Sequence, residues 1–313
     1  METTSRWQTI DHVLDFGPEQ TIRIWETPPK ADTPNRYTTI LVAAGFARRM
    51  DHFTGLVEYL SENGFRVIRY DSLNHVGLST GNIDEFTMTA GKRSLLAVYA
   101  WLQGRGIDKI GLVAASLAAR VAYEVIADID LAFLVTAVGV VNLRDTLEKA
   151  LGFDYLSLPL EDLPDALDFE GHRLGSEVFV RDCFQFDWHS LNSTIDKMSD
   201  FKSPFIAFTA NNDDWVRQEE VMAFMTSIDN EQCKVYSLLG SSHDLSENLV
   251  VLRNFLQSVT KAAIALDNRQ LDISLDIIEP QFEQITLAKV NERRLMRDIE
   301  TQQAEMTQQA ATS

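Results

Sequence analysis

Cysteine is scarce in this chain: 313 residues contain two, Cys183 and Cys233. Two thiols cannot build the disulfide framework of a secreted scaffold, and they point to a reducing compartment. Long hydrophobic runs are missing too. The longest, Leu131 to Val141, falls well short of the ~20 residues that cross a bilayer as a helix, so no membrane span is expected. The amino terminus lacks the apolar stretch of a secretory signal, and a cytoplasmic location is the expectation. His12, His52, His75, His172 and His189 show no ligand spacing such as His-Glu-x-x-His, and no phosphate-cradling glycine loop follows a strand. Neither a metal nor a nucleotide cofactor is expected.

Positive charge is the other shortage. Lys and Arg number 28 against 46 Asp and Glu, a net charge of −18. Residues 1–120 hold 13 of each sign, while residues 121–313 hold 15 Lys and Arg against 33 Asp and Glu, which accounts for the whole deficit. Such a chain is poorly suited to nucleic acid or to an anionic membrane surface. An acidic partner would have to dock on the neutral amino-terminal part, where Arg48 and Arg49, Lys92 and Arg93, and Arg66 and Arg69 lie; of these, Arg48 and Arg49 are the docking candidates.

What is present is an alternation of strand-like and helix-like segments, the pattern of an α/β protein with a mostly parallel sheet flanked by helices. Thr9 to Leu14 and Thr21 to Trp25 predict a hairpin. Thr39 to Ala44, Phe65 to Asp71, Ile110 to Val113, Leu131 to Val141, Pro204 to Thr209 and Cys233 to Leu239 predict strands, with helices over about 53–63 and 92–103. Residues 142–202 break this rhythm with prolines, glycines, acids and a cluster of aromatics, and predict a helical cap inserted into a core of residues 1–141 and 203–262. Beyond 262 comes an extension: an alternating, strand-like Leu271 to Ile277, a charged helix over 288–299, and a polar tail from Thr301 expected to be disordered.

The segment Val113-Ala114-Ala115-Ser116-Leu117-Ala118-Ala119-Arg120 places a serine between a buried strand and a helix. That is the layout of a nucleophile elbow, whose close backbones demand small residues two positions either side. The usual glycines are replaced by Ala114 and Ala118. Taken alone, the octapeptide favours a tightly packed turn with a buried serine.

Two further segments reverse those odds. The strand ending at Thr209 runs into Ala210-Asn211-Asn212-Asp213-Asp214-Trp215-Val216, and the last strand runs into Gly240-Ser241-Ser242-His243-Asp244. Both put ionisable side chains at the carboxyl end of a strand, on the edge that carries Ser116. The chain order Ser, Asp, His is that of the α/β-hydrolase triad. A serine hydroxyl needs a base in reach, imidazole titrates near neutrality, and an aspartate fixes its tautomer. Asp213 fits the usual frame Gly-x-x-Asp-x-x-Val with Val216, whereas Asp214 does not. The oxyanion hole is expected from the backbone N–H groups of Leu117 and Phe46. His75 belongs to a loop common in this fold and is given no chemical role.

Gly45 to His52, Ala114 to Leu117, Ala137 to Asp145, Ala210 to Val216, Leu239 to Asp244 and Val290 to Arg294 together resemble the acyltransferase family of bacterial luminescence, also called myristoyl-ACP thioesterases. The resemblance covers nearly the whole chain, and that family also lacks the elbow glycines. It implies transfer of a C14 acyl group from acyl carrier protein onto a serine, then its release to the fatty-acid reductase complex, with synthetase and reductase components as partners. The aldehyde made there is the luciferase substrate. The family's roles fall on Ser116, Asp213 and His243. An esterase of the same fold on another acyl substrate, and a non-catalytic acyl-binding protein, are the alternatives.

Overall fold

The computed structural model describes residues 9–312 except 31, 32 and 34. The chain opens with the expected hairpin, β1 (Ile10–Gly17) and β2 (Gln20–Thr27), paired antiparallel. It continues through β3 (Thr39–Ala43), α1 (Thr54–Glu62), β4 (Arg66–Tyr70), α2 (Met88–Gly104), β5 (Ile110–Ala115), α3 (Leu117–Val125) and β6 (Phe133–Ala137). Residues 142–202 form α4 (Leu143–Leu151), a hairpin of β7 (Ala166–Phe169) and β8 (His172–Gly175), α5 (Ser176–Gln185) and α6 (Leu191–Met198). The sheet resumes with β9 (Phe205–Ala210), α7 (Gln218–Ser227), β10 (Cys233–Leu238) and α8 (Leu249–Asp267), and the chain ends in α9 (Phe282–Thr312).

The eight strands of the main sheet lie in the order β1-β2-β4-β3-β5-β6-β9-β10, and from β4 to β10 all pairs are parallel. Every residue of β3, β6 and β9 is buried, as expected for parallel strands covered on both faces. Alternate side chains serve opposite layers. Leu41, Leu112 and Leu134 meet Val98 and Leu102 of α2 and Ala122 of α3; Ile40, Val113 and Val135 meet Leu56 of α1 and Val259 of α8. Gly111 makes room for a packed ring: a Cβ there would lie 2.4 Å from Phe133. Helix α8 is long and apolar enough to cross a bilayer by composition, a candidate the sequence reading passed over. More than half of it is buried against the sheet and α1, so its apolarity belongs to the core.

Three expectations are corrected. The strand expected over Leu131 to Val141 ends at Ala137, because Val138 turns into positive φ (45°) and the chain bends over Ser116. Leu271 to Ile277 is no strand. Its alternation is real, since Leu271, Ile273, Leu275 and Ile277 pack on the second layer, but among the described residues no strand pairs with it. Its backbone is held by side chains instead: Tyr236 Oη donates to the Leu271 carbonyl (2.6 Å) and Asn63 exchanges two hydrogen bonds with Ile278 (2.7 and 2.9 Å). The tail from Thr301 is helical to Thr312 rather than disordered. Gln, Ala, Glu and Met favour helix there, and neither glycine nor proline interrupts them.

Two buried arginines fasten the peripheral segments. Arg120 of α3, wholly buried, donates to the carbonyls of Trp188 (3.0 Å) and Asp187 (3.1 Å) and lies over the Trp188 ring, joining residues 187–193 to the helix that follows Ser116. Arg69 of β4 pairs with Glu292 of α9 (2.6 and 3.1 Å), whose carboxylate also accepts from Thr9 and Thr54. A buried charge is tolerable only when hydrogen-bonded in this way.

Candidate active site

Ser116 sits between β5 and α3 with φ 52° and ψ −125°, a sparsely populated conformation for any residue but glycine. Its neighbours over-determine it. The Ser116 N–H donates to the Ala137 carbonyl (3.0 Å), while the Ser116 carbonyl accepts from Ala119 (3.0 Å) and Val140 (3.2 Å). Ala114 and Ala118 are both buried, consistent with the need for small flanks.

The three side chains expected to meet do so, from the ends of β5, β9 and β10. Ser116 Oγ lies 2.8 Å from His243 Nε2, and His243 Nδ1 lies 3.0 and 3.1 Å from the two oxygens of Asp213. Asp213 Oδ1 also accepts the N–H groups of Trp215 and Val216, each at 2.9 Å. Its side chain is 3% exposed, that of His243 12%. Asp214, the rejected neighbour, is exposed and lines the cleft without joining this chain of bonds. With Nδ1–H donated to the carboxylate, Nε2 is free to accept the serine proton.

The two expected oxyanion donors flank the serine. Leu117 N–H opens α3, where the helix dipole favours negative charge. Phe46 N–H lies in the loop after β3, brought close by Gly45: a Cβ at that position would sit 3.0 Å from the Ala115 carbonyl oxygen and 3.2 Å from Ser116 Cβ. Among the described residues neither N–H has an acceptor. His75 holds this loop. The Ala47 N–H, from a residue at φ 57°, donates to His75 Nε2 (3.2 Å), and the imidazole packs edge-on to Phe46 and Phe86. Burial, with the charge of His172, pushes its pKa down to about 4, which keeps the ring a neutral acceptor. Sequence reasoning missed this positioning role. Buried Asp71 plays a similar part, accepting the Met50 and Leu78 N–H groups at 2.8 Å each; its burial outweighs those donors and pushes the carboxyl up to about 6.

A cavity of about 720 Å³ opens on Ser116 and His243, within the range of small-molecule sites. Two groups of residues wall it, here called its arms. The cap contributes Leu143, Leu147, Leu174 and Phe179, all buried. Helices α1, α8 and α9 contribute Leu56, Leu256 and Ile285, with Leu249 and Phe282, each more than 70% exposed. Phe169 of the cap hairpin bridges the cleft, 5.5 Å from both Phe46 and Trp215, and Trp215 stacks at 4.6 Å on His243. Of the two candidate docking residues, exposed Arg48 lines the cleft. Arg49 does not: it makes two 3.1 Å bonds to Asp51 and approaches Glu300. Among the described residues no cluster of His, Cys, Asp or Glu is placed to hold a metal.

A family model for acyl transferases matches residues 8–301. The chain belongs to the acyl transferase family. An acyl transferase of Vibrio campbellii is 67% identical over 303 residues, covering 97% of this chain and 99% of that protein. Among solved structures, the chain is similar to Est1E of Butyrivibrio proteoclasticus with bound ferulic acid (TM-score 0.66, 20% identity, 81% of this chain and 99% of that one). It is also similar to the mouse α/β-hydrolase domain-containing protein 10 (TM-score 0.61, 16% identity, 82% and 99%). At such identities the likeness shows the fold, that of an α/β-hydrolase. Membership of the acyl transferase family on this fold supports acyl transfer or hydrolysis as the chemistry.

Proposed function

We propose that this acyl transferase is a cytoplasmic acyl-carrier-protein thioesterase and transferase selective for C14 chains, acting through an acyl-serine and supplying the fatty-acid reductase complex of a luminescence system. The observation that carries the catalytic part is the bond chain Ser116–His243–Asp213 opening into an apolar cavity. The chain length, the carrier protein and the reductase partners rest on the family resemblance.

In this reading His243 Nε2 takes the Ser116 proton as Oγ attacks the thioester carbonyl. The oxyanion is met by the Leu117 and Phe46 N–H groups, each worth about 3 kcal/mol of barrier. Collapse breaks the C–S bond, and the imidazolium returns its proton to the departing thiolate. Water or another acceptor then repeats the sequence on the acyl-serine. Asp213 stays ionised and holds the ring.

The test is acyl release from a C8–C18 series of carrier-protein thioesters, with a serine-directed phosphonate as a second probe. A maximum at C14 and loss of labelling in Ser116→Ala are expected, with turnover lowered about 10⁶-fold. A flat chain-length profile would overturn the C14 assignment and spare the nucleophile. Unlabelled parent protein would favour a binding protein without catalysis.

A further inference from the structure

The two arms of the cleft suit different parts of one substrate. Ser116 lines the same cavity as both groups of residues, and a thioester with its carbonyl at Oγ projects its acyl chain and its thiol in different directions. The cap arm is walled by buried apolar side chains and suits the tail. The arm between α1, α8 and α9 has charged side chains among its lining residues.

Several of these side chains are cations. Arg48 and His52 line the cleft on the amino-terminal side, and Lys289 lines it from α9. Arg293 follows Lys289 by four residues on that helix, the spacing that sets two side chains next to each other. Arg293 and Arg48 both act on His52: burial, then the charges of Arg49, Arg48 and Arg293, depress its pKa against the pull of Asp51. Unlike Arg49, which Asp51 engages, Arg48, Lys289 and Arg293 have no ion pair among the described residues. Carboxylates line the cleft as well: Glu170 of the cap hairpin, Asp214, and Asp244, whose pKa the nearby Arg48 helps to lower. In a chain of net charge −18, a cluster of cations in a cleft that leads to the nucleophile selects for an anionic leaving arm.

We propose that the arm between α1, α8 and α9 is the leaving-group subsite, and that Arg48, Lys289 and Arg293 recognise a phosphate ester carried on the thiol. This rests on the thioester reading above and gives the carboxy-terminal extension a task within it. The shared chemistry is a phosphorylated pantetheine arm, borne either by a carrier protein or by free coenzyme A.

Three donors of one chain length decide it: the carrier-protein thioester, the coenzyme A thioester, and a pantetheine thioester without phosphate. The variants are the Lys289→Glu, Arg293→Glu pair and the milder Lys289→Gln, Arg293→Gln pair, both on half-buried or exposed positions. The quantity read is kcat/KM on each phosphorylated donor divided by that on the pantetheine thioester. The Glu pair should lower both ratios at least about tenfold, mainly through KM, and the Gln pair by less, because each charge-assisted bond to phosphate is lost or reversed. Raising the salt should shrink the parent's ratio toward the variant's. Unchanged ratios overturn the proposal. A fall for the carrier-protein donor alone also overturns it, since the cations would then read a protein surface and not the phosphate. A parent chain that turns over none of the three thioesters would overturn the thioester reading and this subsite with it, an outcome visible before any variant is made.

Discussion

The cap and the carboxy-terminal extension both wall the cleft and both combine apolar packing with a buried arginine, but the two arginines bind different partners. The cap is joined through Arg120 to backbone carbonyls and to the Trp188 ring, and through an apolar layer of Leu143, Leu147, Leu174 and Phe179. The extension packs Leu271, Ile273, Leu275 and Ile277 on the second layer and adds polar bonds: Asn63 to the Ile278 backbone, Arg253, Gln257 and Tyr59 to Glu279, and Arg69 to the carboxylate of Glu292. The cap lends the cleft buried apolar side chains, which fit a hydrocarbon tail, whereas the extension lends it Lys289, a cation that can meet an anion.

That contrast can be broken from the centre outward. Asp213→Asn should disable both arms at once: the amide favours the wrong imidazole tautomer, and turnover on every donor should fall about 10⁴-fold with the fold retained. Turnover within tenfold of the parent would remove Asp213 from the site. Glu292→Gln strands a buried guanidinium and should cost about 3 kcal/mol in denaturant unfolding, while the chain-length preference proposed to be set under the cap should stay put. A pH series adds a sign to this. Arg69 and the hydroxyl donors outweigh burial and hold Glu292 below the ordinary carboxylate range. Its contribution is therefore present above the unfolded value, near 4.3, and is lost as pH falls through the lowered folded one; the variant should lack that loss.

Smaller changes sharpen the contrast. Leu147→Phe narrows the cap arm and should penalise the longest chains about fourfold per excluded methylene, read as a shift in the C8–C18 profile with the phosphate dependence intact. A profile that does not move would place the tail elsewhere. His75→Gln keeps an acceptor for the Ala47 N–H but removes a titrating ring. Because the folded pKa of about 4 lies below the ordinary value near 6.5, the unfolded chain protonates first, and stability conferred by His75 declines as pH falls from about 6.5 to 4. The variant's unfolding free energy should be flatter across that window than the parent's.

The fold was legible because its strands are short apolar runs, each ended by a turn or a polar cluster. The same punctuation exposed Ser116, Asp213 and His243, each immediately after or near the carboxyl end of such a run. The register also separated Asp213 from Asp214. Other features left no local trace. His75 acts on a backbone group 28 residues away, and Arg69 on a carboxylate 223 residues away. The β7–β8 hairpin turns on Glu170 and Gly171, both at positive φ, inside a segment whose aromatics drowned the strand signal. The alternation at Leu271 to Ile277 was read correctly as a burial pattern and wrongly as a strand, since periodicity reports which side is covered and not whether a ladder partner exists.

Gly45 sets a tolerance that none of the polar groups can set. A methyl group there would press on the Ala115 carbonyl and on Ser116 Cβ by a few tenths of an ångström, a shift that a folded domain can absorb at modest cost. The oxyanion pocket proposed here, with one donor on each side of that gap, cannot absorb it so easily, because its grip depends on sub-ångström spacing. In a library of variants, position 45 is where a well-expressed, cooperatively melting protein and an idle one would be the same molecule.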